Sequence, residues 1–134
     1  LELEGFFWFQ GWNDMFDEKA RSEYATNLVH LIDDFRRTFH APDLAVVIGE
    51  TGNMGSEAGQ NMLVIRDAQA KAAASIKPRG SAAFVSTTEF ARPKELSPNV
   101  GHGHHWFGNA ESYFLIGDAM GSAMVRLMSR SHAN

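Results

Sequence analysis

Three histidines stand close together near the end of the sequence, in a glycine-rich stretch that leads into an apolar, helix-like segment. They are His102, His104 and His105, and they account for three of the 6 histidines in the chain. Imidazole is the side chain best suited to accept and return a proton near neutral pH. The segment Gly101–Glu111 is therefore the first candidate for a catalytic centre.

Metal binding and a plain turn are the alternative interpretations of these histidines. Consecutive histidines in a flexible turn do not all aim at one ion, and the sequence has no His-Glu-x-x-His pattern. No metal site is therefore predicted. A general base beside the start of a helix fits the pattern better. His30 and His40 are interpreted as helix-surface and helix-end residues.

Alternating strand-like and helix-like segments would position this turn. Short apolar runs without polar alternation predict buried strands at Gly5–Phe9, Leu44–Gly49 and Ala82–Thr88. Apolar residues at intervals of three and four predict helices from about Glu18 to Phe39, from Gln60 to Ile76, and after Asn109, which would cap the last helix. Strands joined by helical crossovers predict an α/β layer fold with a parallel sheet.

Polar residues follow each predicted strand. In sheets of this kind, ligands bind beyond the carboxyl ends of the strands. The segments expected to share that edge are Gln10–Asp14, Glu50–Asn53, Thr87–Glu89 and the glycine-rich turn that carries His102, His104 and His105, called the histidine turn below. We therefore expect the site to lie there.

The residues after the first strand offer amide and carboxylate groups. The Gln10 carboxamide could donate a hydrogen bond to a developing oxyanion, or it is a satisfied turn residue. Asn13 and Asp14 could orient a histidine, whereas Asp17 is better interpreted as the cap of the first helix.

Tryptophans and a loop serine are further candidates. Trp12 and Trp106 lie in polar segments and could border a sugar-sized pocket, although tryptophans more often pack in a core. Ser56 does not stand in a G-x-S-x-G elbow, so it is interpreted as an ordinary loop serine. The loop Gly49–Gly55 lacks both the P-loop lysine and the GxGxxG spacing, so the sequence gives little support to nucleotide binding.

The composition indicates one globular domain. The chain has 134 residues, 44% of them hydrophobic, and a formal net charge of -4. It lacks the basic stripe that a phosphate backbone requires, so nucleic acid is not an expected partner. Without cysteine it has no disulfide and no thiolate nucleophile. No apolar run approaches the roughly 20 residues of a membrane helix, so no membrane partner is expected.

Three blocks of the sequence are familiar in their order: FWFQGWND at Phe7–Asp14, IRDAQ at Ile65–Gln69, and HWFGNAESY at His105–Tyr113. Together they resemble the sialate O-acetylesterase-like domain of the SGNH-hydrolase superfamily, which includes carbohydrate esterase family six. The resemblance covers most of the chain. It implies a flavodoxin-like three-layer α/β/α sandwich that hydrolyses acetyl esters on carbohydrates with a serine nucleophile and no cofactor. It also implies an extracytoplasmic location, secreted or periplasmic.

The resemblance assigns roles to individual residues. The histidine before the last helix is the general base of the family and maps best to His105, while the glutamine after the tryptophan strand, Gln10, helps to hold the oxyanion. Many relatives carry an aspartate three residues before this histidine, but here that position is His102. Asp14 and Glu89 are therefore candidates for the acid, and His104 is a further candidate for a catalytic or orienting role. Trp12, Trp106 and Asn13 are expected to contact substrate.

The serine nucleophile of the family stands in a Gly-Gln-Ser-Asn-like turn, and this sequence has no such turn. Residues 1–134 are therefore interpreted as the C-terminal part of a single domain, beginning at its third strand. The expected partners are an acetylated carbohydrate and the N-terminal part of the same domain. We expect the isolated chain to be inactive and to self-associate through an uncovered apolar edge. The alternative function is a non-catalytic carbohydrate- or partner-binding module on the same scaffold.

Overall fold

The computed structural model describes residues 3–131, which form a three-stranded sheet with helices on both faces. The strands are β1 (Gly5–Trp8), β2 (Ala45–Gly49) and β3 (Ala82–Val85). The helices are α1 (Glu18–Thr38), α2 (Gln60–Ser75) and α3 (Ala110–Ser131). The sheet has the order β1-β2-β3, and both strand pairs are parallel. The predicted α/β fold is confirmed.

The two faces of β2 divide the core into two clusters. Val46 and Ile48 pack with residues of α1 and α2, such as Leu28 and Ile65. Ala45 and Val47 point to the opposite face, where they pack with α3. All five residues of β2 are buried, which explains why its apolar run shows no alternation.

Side-chain caps set the starts of two helices as the sequence predicted. An Asp17 carboxylate oxygen accepts a hydrogen bond from the Ala20 amide at 2.7 Å at the start of α1. The Asn109 side-chain oxygen accepts bonds from the amides of Glu111 and Ser112, at 3.1 and 3.2 Å, at the start of α3. Within residues 3–131, no helix is long and apolar enough to cross a membrane.

The strand β1 lies at an edge of the sheet with one face exposed, so the prediction of a buried strand at Gly5–Phe9 is wrong for that face. Within residues 3–131 its only strand neighbour is β2, and the Phe7 side chain is 51% exposed. Phe7 pairs with Val47, whose side chain lies in the core cluster between the sheet and α3, called the α3 cluster below. Because α3 packs mainly over β2 and β3, this face of β1 stays open, while Phe6 and Trp8 pack on the other side.

The open face predicts self-association. Phe114 and Val125, on α3, are 73% and 64% exposed, and Phe7 adds to the exposed apolar surface on this side of the sheet. We expect the 134-residue chain to form dimers or larger species at micromolar concentration, and Phe114→Glu to raise the monomer fraction. Sedimentation velocity measures both. Leu96→Glu, at a side chain that is 76% exposed in a different segment, is the control and should change nothing. A monodisperse wild-type monomer would contradict the prediction.

The strand β3 ends three residues earlier than predicted. Its last residue is Val85, and Ser86–Thr88 turn away from the sheet. The amides of Thr87 and Thr88 bind the carboxylate of Glu50 instead of a neighbouring strand. The Glu50 carboxylate therefore takes the place of strand-to-strand hydrogen bonds after Val85. The local sequence does not reveal this, because Glu50 is distant along the chain.

Candidate active site

A cleft of 460 Å³ lies at the carboxyl ends of β1 and β2. Its walls come from the segment after β1, the segment after β2, the histidine turn and the first turn of α3. The lining residues are Phe9, Gln10, Gly11, Trp12, Asn13, Thr51, Asn53, His104, His105, Trp106 and Tyr113. Six residues that the sequence singled out, Gln10, Trp12, Asn13, His104, His105 and Trp106, therefore lie around one space.

The other candidates lie around this cleft or away from it. The Asp14 carboxylate accepts a hydrogen bond from Gln10 Nε2 at 2.6 Å. Glu89 lines a separate cleft together with Ser56. Within residues 3–131, no hydrogen bond or ion pair joins a carboxylate to the imidazole of His104 or His105. The structure therefore places Asp14 beside the glutamine rather than the histidine, and it places Glu89 outside the cleft.

The histidine turn is tight and kinked. The amides of His105 and Phe107 both donate to the carbonyl oxygen of His102 at 3.0 Å. Trp106 and Phe107 both adopt φ of 53°, in the left-handed region that residues with a Cβ rarely occupy. Such a conformation persists only where surrounding contacts hold it. Here Trp106, only 5% exposed, packs into the α3 cluster and stacks on Phe9 at 6.3 Å. Trp106 is thus mainly a core residue that also lines the cleft.

The imidazoles of the turn form a cluster at the mouth of the cleft. The ring centroids of His104 and His105 are 4.2 Å apart, and the His104 ring is 5.6 Å from that of Trp12. Desolvation, together with the charges of His105 and His102, lowers the pKa of His104. The lowered pKa favours the neutral imidazole, in which one ring nitrogen remains an acceptor. In the part of the chain that the structure describes, no group of three or more His, Cys, Asp or Glu side chains is placed to hold a metal ion.

Gln69, on α2, links the ends of two strands beneath the cleft. Its Nε2 donates to the Gln10 carbonyl oxygen at 2.8 Å, and its Oε1 accepts from the Thr51 amide at 3.0 Å. The side chain is fully buried. Because every polar atom of a buried amide must be paired, these bonds set the separation of the segments after β1 and β2.

Arg66, one turn earlier on α2, holds the loop after β2. Its Nε, Nη1 and Nη2 donate to the carbonyl oxygens of Thr51, Gly55 and Asn53, each at 3.0 Å. The Asn53 side chain then donates to the carbonyl oxygen of Gly103 in the histidine turn at 3.4 Å. Arg66 and Asn53 therefore link α2 through hydrogen bonds to the backbone of the turn that carries the histidines.

The positioning roles of Arg66 and Gln69 were not predicted from the sequence. There they appeared only as members of the block Ile65–Gln69. Their spacing of three places both side chains on one face of α2, the face that also carries Met62 and Ile65. Two long polar side chains on the buried face of a helix are the signal that could have identified them.

Glu50 follows the last residue of β2, and it was not identified from the sequence as the acceptor that holds the turn after β3. Its Oε2 accepts from the hydroxyl of Ser86 at 2.7 Å, from the Thr87 amide at 2.8 Å, and from the amide and hydroxyl of Thr88 at 3.0 Å. Burial opposes ionisation of the carboxyl, but these hydrogen bonds outweigh it, and the pKa of Glu50 is lowered. The carboxylate therefore stays charged and fixes the turn after β3.

The lowered pKa predicts a pH-dependent contribution to stability. A carboxyl with a folded pKa below its unfolded value of about 4.3 stabilises the fold above that pH, and the contribution is lost as the pH falls through the folded pKa. The free energy of unfolding should therefore differ most between wild type and Glu50→Gln at pH 7, and the difference should shrink below about pH 4. Urea unfolding at several pH values measures it. The exposed Glu95→Gln is the control, and a difference that is constant with pH would contradict the prediction.

Gly52 allows the loops after β2 and β3 to approach closely. A Cβ on Gly52 would lie 2.4 Å from Thr87 Oγ1 and 2.5 Å from the Thr87 carbonyl carbon, which is backbone. We expect Gly52→Ala to lower the free energy of unfolding by about 3 kcal/mol, because the two loops must separate. Gly101→Ala is the matched control, since a Cβ there would meet nothing within 4 Å. Thermal or urea unfolding distinguishes them, and equal stabilities of the two variants would refute this account.

Comparison with known proteins identifies the family. No curated protein and no solved structure matches the chain significantly. A family model described as carbohydrate esterase, sialic acid-specific acetylesterase, matches residues 2–126. The matched region contains every residue of the cleft and the whole of α2. The chain therefore belongs to the carbohydrate esterase, sialic acid-specific acetylesterase family.

Proposed function

We propose that the chain supplies the general-base and oxyanion side of a serine-dependent esterase that removes acetyl groups from sugars or polysaccharides. The observation that carries the proposal is the meeting of Gln10, His104 and His105 around one cleft of 460 Å³. A proton acceptor and a hydrogen-bond donor lining the same space are what acyl transfer to a serine requires. Membership of a carbohydrate esterase family supplies the substrate class.

The reaction would proceed in two steps. His105 takes the proton of a serine hydroxyl, the serine oxygen attacks the acetyl carbonyl carbon, and the sugar oxygen leaves with that proton. Water, activated by the same imidazole, then attacks the acetyl-serine ester and releases acetate. This chemistry uses no metal or organic cofactor.

Gln10 would hold the negative charge that develops on the carbonyl oxygen. One of the two N–H groups of its Nε2 donates to Asp14 Oδ2 at 2.6 Å. The other N–H is then left for the oxyanion, and the carboxylate fixes which way the amide faces. In this proposal, Asp14 is a positioning residue for Gln10 rather than the acid of a triad.

We further propose that the nucleophilic serine is supplied by sequence outside these 134 residues. Among the described residues of the cleft, the single side-chain hydroxyl besides Tyr113 is that of Thr51, which is 6% exposed and bonded to Gln69 and Met62. Ser56 lines a different cleft. Such a division would make this chain one side of a bipartite active site.

Sequencing the coding DNA upstream of Leu1 and expressing the extended protein tests the proposal. An in-frame extension carrying a serine turn should release acetate from acetylated oligosaccharides and react with a fluorophosphonate, whereas the 134-residue chain should do neither. A signal peptide in that extension would support the proposed extracytoplasmic location. Labelling and turnover by the 134-residue chain itself would overturn the division of the site.

A non-catalytic binding module is the second candidate. Two features of the cleft favour it. Trp12 offers an aromatic wall, and the Thr51 hydroxyl already donates a hydrogen bond to Gln69 and so is not available as a nucleophile. In that case His105→Ala would leave sugar binding intact, and the extended protein would show no turnover of acetyl esters. Turnover that depends on His105 would exclude this candidate.

A further inference from the structure

A second cleft, also of 460 Å³, adjoins the histidine cleft. It lies between the 3₁₀ turn Asn13–Phe16 and the start of α2. Trp12 lines both clefts, and the centroid of its ring lies 5.6 Å from that of His104 and 5.9 Å from that of Phe16. A ligand seated at the histidines can therefore continue over Trp12 into this second space.

The second cleft combines an apolar floor with a polar rim. Met15 and Met62 contribute to the floor, and Phe16 stands at its mouth with 68% of its surface exposed. Gln60 and Asn61, both exposed, lie on the rim. Aromatic and thioether surfaces suit the C–H faces of a pyranose ring, and carboxamides can donate to and accept from its hydroxyl groups.

The charge of the cleft favours a neutral sugar. Its single charged side chain among the described lining residues is that of Glu57, and neither lysine nor arginine lines it. An anionic sugar would meet a like charge there without a guanidinium or ammonium partner.

We propose that this second cleft is a subsite for a neutral sugar residue next to the acetylated one, with Trp12 and Phe16 as its stacking surfaces. The proposal rests on the proposed function, because the acetylated residue is assigned to the histidine cleft. It makes the protein selective for oligomeric substrates over isolated acetylated monosaccharides. The size of the cleft, within the usual range of about 300–1,000 Å³ for ligand pockets, accommodates a ring of this kind.

Direct binding tests the subsite without requiring turnover. Cellotetraose, chitotetraose and tetragalacturonate are titrated into the 134-residue chain, with calorimetry for affinity and the tryptophan indole N–H signals in NMR spectra for location. Trp12→Phe assigns the Trp12 signal. We expect saturable binding of at least one neutral tetrasaccharide, a shift of the Trp12 signal, and weaker binding of tetragalacturonate, which carries a carboxylate on every residue, that Glu57→Gln improves.

Substitution of Phe16 provides the specific test. Because Phe16 is largely exposed, Phe16→Ala should fold normally and weaken neutral-saccharide binding about tenfold, the effect of losing one aromatic stacking partner. Leu96→Ala, at another largely exposed apolar side chain, should leave affinity unchanged. Equal affinities for wild type and Phe16→Ala would overturn the subsite, as would failure of all neutral saccharides to bind.

The outcomes separate this subsite from the esterase proposal. Saccharide binding that depends on Phe16, without any ester turnover by the extended protein, supports the subsite and removes the esterase mechanism. Turnover of a small acetate ester, with no saccharide binding in the second cleft, supports the esterase and overturns the subsite.

Discussion

Replacing His105 by alanine is expected to lower kcat/KM for acetyl ester hydrolysis by about 10⁴-fold in a protein that also contains the serine, a loss of about 5 kcal/mol in transition-state stabilisation. The imidazole is needed twice, first to take the serine proton and then to activate water. The residual rate would come from substrate binding and the oxyanion donors, among them Gln10. Release of the deacetylated sugar under single-turnover conditions measures the effect on the first step, and release of acetate measures the effect on the second.

Two other histidines provide controls for this prediction. His104→Ala should mainly raise KM, because it removes the ring that packs beside Trp12 at 5.6 Å, and kcat should fall less than about tenfold. His30→Ala, on the exposed surface of α1, should leave both constants unchanged. A large loss of kcat with His104→Ala and a small one with His105→Ala would reassign the general base to His104.

Replacing Arg66 by alanine is expected to lower the free energy of unfolding by about 4 kcal/mol. Three hydrogen bonds from a charged group to buried carbonyl oxygens are lost, each of which is worth about 1.5–3 kcal/mol, although their effects are not additive. The carbonyl oxygens of Thr51, Asn53 and Gly55 are left without this donor. Urea unfolding followed by circular dichroism measures the change.

The charge and the shape of Arg66 can be separated by a second variant. Arg66→Lys keeps the positive charge but cannot direct three donors in a planar fork, so it should recover only part of the lost stability. Lys71→Ala, on the exposed side of the same helix, should change stability by less than about 0.5 kcal/mol. If Arg66→Lys were as stable as wild type, the charge alone would account for the effect.

Arg66→Ala should also disturb the candidate site. The loop after β2 carries Asn53, whose side chain donates to the carbonyl oxygen of Gly103 at 3.4 Å. Loss of the three Arg66 hydrogen bonds should therefore change the NMR signals of His104 and His105, which lie more than thirty positions away along the sequence. Unchanged histidine signals in a folded Arg66→Ala protein would show that the loop holds its position without the arginine.

The elements whose signals are local could be predicted from the residues alone. The apolar spacing from Tyr24 to Ile32 predicted α1, which begins at Glu18 as expected and ends one residue before the predicted Phe39. The unbroken apolar run predicted β2 as a buried strand. Caps at Asp17 and Asn109 formed as predicted, because a cap depends on residues only two or three positions away. The meeting of polar segments at one edge followed from the parallel sheet.

The residues that hold that edge together could be identified only from contacts that form when the chain folds. Gln69 bonds to Gln10 across 59 positions, and Glu50 bonds to Thr87 across 37, so neither pairing has a local signature. The exposure of Phe7 likewise depends on which strands α3 covers. Periodicity and capping report on the nearest turn of the chain, whereas a buried hydrogen bond or an uncovered strand is defined by residues that only folding brings together.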